Sequence, residues 1–150
     1  MSTRPYELLA CQVSAAGERS ARMQAVVDVL WRALRDTGVS WVGFYLAAGP
    51  DELVLGPSRD KPACSPIGLH GVCGQAFTQR RPRVVADVRT LGPNYVACDP
   101  RDQSEVVIPL FDADGECWGV LDLDSHEVGA FDGQDVAGLL QVLMASGLTS

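Results

Sequence analysis

Cysteine is the soft nucleophile among the side chains, and this chain carries five: Cys11, Cys64, Cys73, Cys98 and Cys117. Cys98 has the most telling neighbours. Val96 and Ala97 before it suit a short strand, while Asp99 and Pro100 force a turn directly after it. A thiol so placed is anchored on rigid backbone yet held at a mouth, as a working nucleophile must be. The alternative is that Cys98 fills space, since free cysteine is among the most buried residue types. A second group is acidic. In Trp118-Gly119-Val120-Leu121-Asp122-Leu123-Asp124 the two-residue period of a strand puts Asp122 and Asp124 on one face and Leu121 and Leu123 on the other. With Asp114-Gly115 as the central pair of a hairpin, Ala113 pairs with Glu116 and Glu105 with Asp124. A slip of one pair sets Glu105 opposite Asp122 instead. In either register three carboxylates share a face, where they repel, and one tends to keep its proton. That face suits a cation or ammonium group; a solvent-exposed acidic face is the competing reading.

Two further stretches could complete such a pocket. Trp41, Gly43 and Tyr45 share one face of Trp41-Val42-Gly43-Phe44-Tyr45-Leu46, with glycine leaving room between the rings. Aromatics beside acids suit a small cationic ligand bearing a methyl or thioether group, although core packing would account for them equally. Gly71-Val72-Cys73-Gly74 opens a helix whose free N–H groups could hold a carboxylate. Acids for an ammonium, an aromatic wall, a helix start for a carboxylate and a thiol together describe a pocket for a free amino acid.

The elements that must position these residues follow from periodicity. Residues 4–13 read as a short helix and 14–19 as a connection. A second helix carries Met23, Val26, Val27, Leu30 and Leu34 on one stripe and ends at Gly38. Strands are expected at 39–48 and 52–56, forming a hairpin across Gly49-Pro50-Asp51. Residues 57–71 have loop composition, and a loop of that length in a compact domain is commonly functional. A helix at 71–79, a strand at 83–88 and a turn at 91–94 lead to Cys98. The clearest strands are 104–111 and 116–125. A last helix, capped by Asp132, buries Val136, Leu139, Leu140, Leu143 and Met144. Hairpins dominate and no strand–helix–strand alternation recurs, so the class is α+β, a mostly antiparallel sheet flanked by N- and C-terminal helices.

Bulk properties narrow the rest. The 150 residues fit one domain, 1–150, and with 47% hydrophobic and 21% charged residues the chain is globular. A formal charge of −7 speaks against a nucleic-acid partner; Arg80, Arg81 and Arg83 bunch at a helix end, where they can cap carbonyls. With no membrane-length apolar run and no export signal, the expected address is the cytoplasm, and no membrane partner is expected. An odd cysteine count there argues against a disulfide framework, and no C-x-x-C pair spells out a zinc ribbon or a thioredoxin-type site. A zinc site from Cys64, His70, Cys73 and Cys98 fits by ligand type but lacks close-spaced pairs. Cys11 reads as a helix-packing residue, Cys117 as a strand filler, and His70 and His126 as polar loop residues.

Ser40-Trp41-Val42-Gly43-Phe44-Tyr45-Leu46, Lys61-Pro62-Ala63-Cys64, Gly71-Val72-Cys73-Gly74, Ala97-Cys98-Asp99, Ser104-Glu105-Val106-Val107-Ile108-Pro109 and Gly119-Val120-Leu121-Asp122-Leu123-Asp124-Ser125 together resemble the landmarks of the free methionine-(R)-sulfoxide reductases, single GAF-domain enzymes. The resemblance spans residues 18–143. It implies Cys98 as nucleophile, Cys64 as the main resolving thiol and Cys73 as a third cysteine able to join disulfide exchange. It also implies Glu105, Asp122 and Asp124 as acids that bind substrate and assist proton transfer, with Trp41 and Tyr45 as the aromatic wall. No metal or organic cofactor is implied; a homodimer recycled by thioredoxin is. The implied chemistry is attack of the Cys98 thiolate on the sulfoxide sulfur with protonation of its oxygen, then a Cys98 sulfenic acid that condenses with Cys64. The chain departs from the family between Cys64 and Cys73, one residue shorter and without the usual arginine, and at Asn94-Tyr95, where glycine-histidine is common. A non-catalytic GAF module that binds a small ligand and a thiol redox sensor are the rival readings.

Overall fold

The computed structural model describes residues 4–94 and 98–150; the short strand expected at Val96 and Ala97 lies outside them. A six-stranded antiparallel sheet in the order β3-β2-β1-β6-β5-β4 forms the centre. Its strands are β1 (Val39–Ala47), β2 (Glu52–Arg59), β3 (Ile67–Gly68), β4 (Arg83–Val85), β5 (Ser104–Phe111) and β6 (Cys117–Ser125). The helices are α1 (Tyr6–Ala10), α2 (Arg19–Leu34), α3 (Val72–Gln79) and α4 (Gly133–Ala145). None of the described helices is long and apolar enough to cross a membrane.

The two faces of the sheet carry different cores. Val42 and Phe44 of β1, Val106, Ile108 and Leu110 of β5, and Leu121 and Leu123 of β6 pack against α1, α2 and α4. The expected stripe of α2 is buried throughout; the helix ends at Leu34, and Gly38, at φ +102°, closes the 3-10 turn Arg35–Thr37 that follows it. Asp132 caps α4 by accepting from Gln134 N and Asp135 N, while Asp135 answers through Asp132 N. On α4, Leu139 and Leu143 are buried, but Met144 is 59% exposed; Val142 takes the inward place. One turn further along, the helix has rotated Met144 out. Cys11 is likewise exposed, because α1 ends at Ala10 and leaves it beyond the packed turn.

The opposite face collects Trp41, Tyr45, Val107 and Val120 beneath α3 and the irregular segments. Two irregularities set which residues reach it. The β5–β6 turn is a three-residue loop: Asp112 N donates to Glu116 O, and Gly115, at φ +81°, donates to Asp112 O. That offsets the count by one, and a bulge at Trp118 restores it, so Phe111 faces Cys117 but Leu110 faces Gly119. Glu105 therefore opposes Asp124, as the two-residue turn also predicted, though by a different route. The second difference is β2, which runs on through Pro57 to Arg59. A bulge opposite Phe44 accommodates the proline, which has no N–H to give a ladder. Only residues 60–66 and 69–71 of the expected long loop remain irregular, and β4 stops at Val85.

Candidate active site

Strand β6 lies between β1 and β5, and this order assembles the acids. Asp124 has Trp41 on one side and Glu105 on the other; Asp122 has Gly43 and Val107. Opposed residues in antiparallel strands share a face. All three carboxylates thus point at one cavity with Trp41 and Tyr45, roofed by Gly71, Val72, Cys73 and Gly74 and reached from Cys98 and Asp102. The cavity and its open mouth together hold about 510 Å³ of atom-free space.

Its acids lie largely out of water. Glu105 is 8% exposed and Asp122 4%. Burial raises the pKa of Asp122 well above the carboxylate range, and the charges of Asp124 and Glu105 add to it. Asp124 is raised by burial and by Glu105. Glu105 is raised by burial, against the opposing pull of its acid neighbours' hydrogen bonds and of Arg83. Burial and mutual repulsion thus favour the protonated form of these acids more than water would. Asp122 Oδ1 is buried without a hydrogen-bond partner among the described residues, an acceptor facing the cavity. The helix start offers the complementary donors. Gly71 gives α3 no side-chain cap, and the first helical bond is from Gln75 N to Gly71 O, leaving the amides of Val72, Cys73 and Gly74 at the cavity.

At the mouth Cys64 and Cys98 are joined in a disulfide, with Cα atoms 5.6 Å apart. Both residues are exposed. The aromatic wall holds this loop from below: Trp41 Nε1 donates to Lys61 O at 2.9 Å, and Tyr45 OH to Cys64 O at 2.8 Å. Their rings lie 6.1 Å apart, and Trp41 folds over Gly43, where an added Cβ would fall 2.2 Å from its ring. The room that Gly43 leaves is therefore filled by tryptophan itself.

Beside the disulfide, Asp99 accepts from Arg101 and pairs with Lys61 at 3.1 Å and with His126 at 3.3 Å. Hydrogen bonds from Arg101 first, then from Lys61 and His126, hold its carboxyl far below the usual range. Asp102, which sequence reasoning passed over, has its Oδ1 3.7 Å from His126 Nε2, buried and without a hydrogen bond. Burial, with the charge of Asp99, pushes its pKa up to about 6. Nothing in its sequence context marks it: it stands in the loop before β5, where no period applies. His126, read as a polar loop residue, belongs to this charged cluster too.

Two groups of side chains among the described residues bring potential metal ligands within 4.8 Å of one another: Cys73, Glu105 and Asp122, and Asp99, Asp102 and His126. In the second, Lys61 and Arg101 already occupy Asp99. The four-ligand zinc site from Cys64, His70, Cys73 and Cys98 does not form here, because two of its thiols are spent on the disulfide. The arginines close α3 through backbone, the N–H groups of Arg80 and Arg81 donating to Ala76 O, and two of their side chains go elsewhere. Arg80 reaches across to Gly115 O, and Arg83 bonds the Gln75 side chain.

A GAF-domain family model matches residues 20–146. The free methionine-R-sulfoxide reductase of Escherichia coli is 39% identical over 132 residues, 85% of this chain and 76% of that protein. Among solved structures, the free methionine-R-sulfoxide reductase of Neisseria meningitidis, in complex with its substrate, superposes with a TM-score of 0.83 at 36% identity, covering 95% of this chain and 83% of that one. The reduced form of the fRMsr of Staphylococcus aureus gives a TM-score of 0.86 at 35% identity over 98% of this chain and 97% of that one. On fold, on sequence and on length, this chain belongs to the free methionine-R-sulfoxide reductase family of GAF-domain proteins.

Proposed function

We propose that this protein reduces free L-methionine-(R)-sulfoxide to methionine, with Cys98 as nucleophile and Cys64 as resolving thiol. The observation that carries the reading is the Cys64–Cys98 disulfide at the mouth of a cavity floored by Glu105, Asp122 and Asp124. The acid floor suits the substrate ammonium, the free amides of α3 its carboxylate, and Trp41 and Tyr45 the methyl and side chain. A peptide-bound residue has neither charged end free, so the same features select the free amino acid.

In the reaction, the Cys98 thiolate attacks the sulfoxide sulfur while a carboxyl of the floor protonates the oxygen. Acids raised by burial and by one another can hold that proton near neutral pH. The oxygen passes to Cys98 as a sulfenic acid and methionine leaves. The Cys64 thiol then condenses with the sulfenic acid, forming the disulfide and expelling water. One sulfoxide and two thiols thus become one thioether, one disulfide and one water. Thioredoxin is the proposed reductant, in keeping with the exposure of both sulfur-bearing residues. A cytoplasmic homodimer completes the proposal.

The test is NADPH consumption with thioredoxin and its reductase, offering free (R) sulfoxide, free (S) sulfoxide and a peptide-bound sulfoxide. Turnover of the free (R) form alone, lost in Cys98→Ser, is the expected result. A folded, reduced wild type that turns over none of them would overturn the reading in favour of a redox-sensing or ligand-binding domain.

A further inference from the structure

Three cysteines line the cavity or its loop, and Cys73 differs from the other two in what surrounds it. Cys64 and Cys98 are exposed and face each other; Cys73 is 6% exposed and faces acids. Its Sγ, a Glu105 oxygen and an Asp122 oxygen all lie within 4.8 Å of one another. Its backbone is fixed. Gln75 N bonds Gly71 O at 2.8 Å, and the Gln75 side chain bonds His70 O at 2.9 Å. At Gly74 a Cβ would lie 2.2 Å from Leu69 Cα, so the first turn of α3 is pressed against the preceding segment. Cys73 is thus built into a rigid helix start, unlike Cys64 in its loop.

A thiol must ionise to attack a sulfenic acid or a disulfide. Burial, and then the charges of Asp122, Glu105 and Asp124, oppose ionisation of Cys73. The same surroundings suit a different task. Asp122 is 4% exposed and keeps Oδ1 free at the cavity, so the orientation of its carboxyl decides where that acceptor points. The Cys73 Sγ lies within 4.8 Å of an oxygen of that carboxyl.

We propose that Cys73 is a positioning residue: its S–H donates to the Asp122 carboxyl and holds it so that the free oxygen meets the substrate ammonium, and Cys73 carries no electrons in the cycle. This assignment rests on the pocket being an amino-acid sulfoxide site. Serine keeps a donor at that place but has no redox chemistry; alanine has neither. The hydrogen-bonding role therefore predicts that Ser recovers what Ala loses, whereas an electron-carrying role predicts that both fail alike.

The experiment compares wild type, Cys73→Ser and Cys73→Ala in the thioredoxin-linked assay, each confirmed folded by thermal unfolding. In Cys73→Ala the KM for the free sulfoxide is expected to rise about tenfold, the scale of one buried hydrogen bond, with a smaller change in kcat. Cys73→Ser should return to within about threefold of wild type. Peptide mapping of wild type after one turnover without reductant supplies a second readout that no folding defect can blur. Cys73 should be alkylated as a free thiol while Cys64 and Cys98 are linked. Equal loss of kcat in both variants, or Cys73 found in a disulfide with either partner, overturns the assignment alone. A wild type inactive on every sulfoxide overturns the reading of the pocket itself, and this assignment with it.

Discussion

Asp102→Asn should stabilise the protein, by an amount that itself titrates. The Asp102 side chain is 11% exposed, and its buried Oδ1 has no hydrogen-bond partner among the described residues, His126 standing 3.7 Å away. Asp99 and Glu105 repel its charge, with Asp124 also close by; His126, Lys61 and Arg101 favour it. The net effect, led by burial, moves the carboxyl from 3.8 to about 6. The folded state therefore holds a proton that the unfolded chain releases near 3.8. Below that pH both states are protonated and the residue costs nothing. As pH rises from 3.8 through 6, stability is lost, and above 6 the full cost remains. At about 1.4 kcal/mol per pH unit, the cost is of order 3 kcal/mol. Asparagine keeps the shape, removes the charge and can donate towards Asp99. Urea unfolding of the disulfide-closed wild type and variant at pH 4, 5, 6 and 7.5 reads the difference directly. It should be near zero at pH 4 and grow to about 3 kcal/mol in the variant's favour at pH 7.5. A difference that does not change with pH, or a less stable variant at pH 7.5, would refute the account of Asp102 as a buried acid whose burial outweighs its nearby cations.

Two substitutions probe the aromatic wall. Gly43→Ala puts a Cβ 2.2 Å from the Trp41 ring and 2.8 Å from Ser58 Cβ, so the indole must move and its bond to Lys61 O is lost. A stability loss of about 1–3 kcal/mol, a shifted tryptophan emission and a raised KM are expected; unchanged emission would show that Trp41 does not depend on the small residue. Tyr45→Phe deletes the hydroxyl that holds Cys64 O. In a single turnover it should slow disulfide closure more than methionine release, because a bond worth about 1 kcal/mol fixes the loop of Cys64, the proposed resolving thiol, and not Cys98, the proposed nucleophile. Equal slowing of both steps would place the hydroxyl's effect on the substrate instead.

How much of this site was legible in the sequence depends on which physics positions each residue. Trp41, Tyr45, Glu105, Asp122 and Asp124 sit on strands, where a period of two assigns the face before any contact is known. Their convergence on one cavity was readable for that reason. The register was less secure than it looked. A two-residue turn and a three-residue turn followed by a bulge both pair Glu105 with Asp124, so the prediction survived an error in the turn that it was derived from. Loops offer no period. The burial of Asp102, the gathering of Lys61, Arg101 and His126 around Asp99, and the exposure of Cys11 depend on which distant segments meet, which local pattern does not encode.

Cys73 shows the limit most sharply. Its place at a helix start was readable and its likeness to a family cysteine suggested exchange chemistry, but its neighbours come from β5 and β6. Those neighbours are acids, and acids work against a thiolate. Cysteine identity therefore says what a residue is able to do, while the charges folded around it decide which of those abilities is available. In this pocket the three thiols divide accordingly. Two are exposed at the mouth and joined to each other, and one is buried among carboxyls, where its ionisation is opposed.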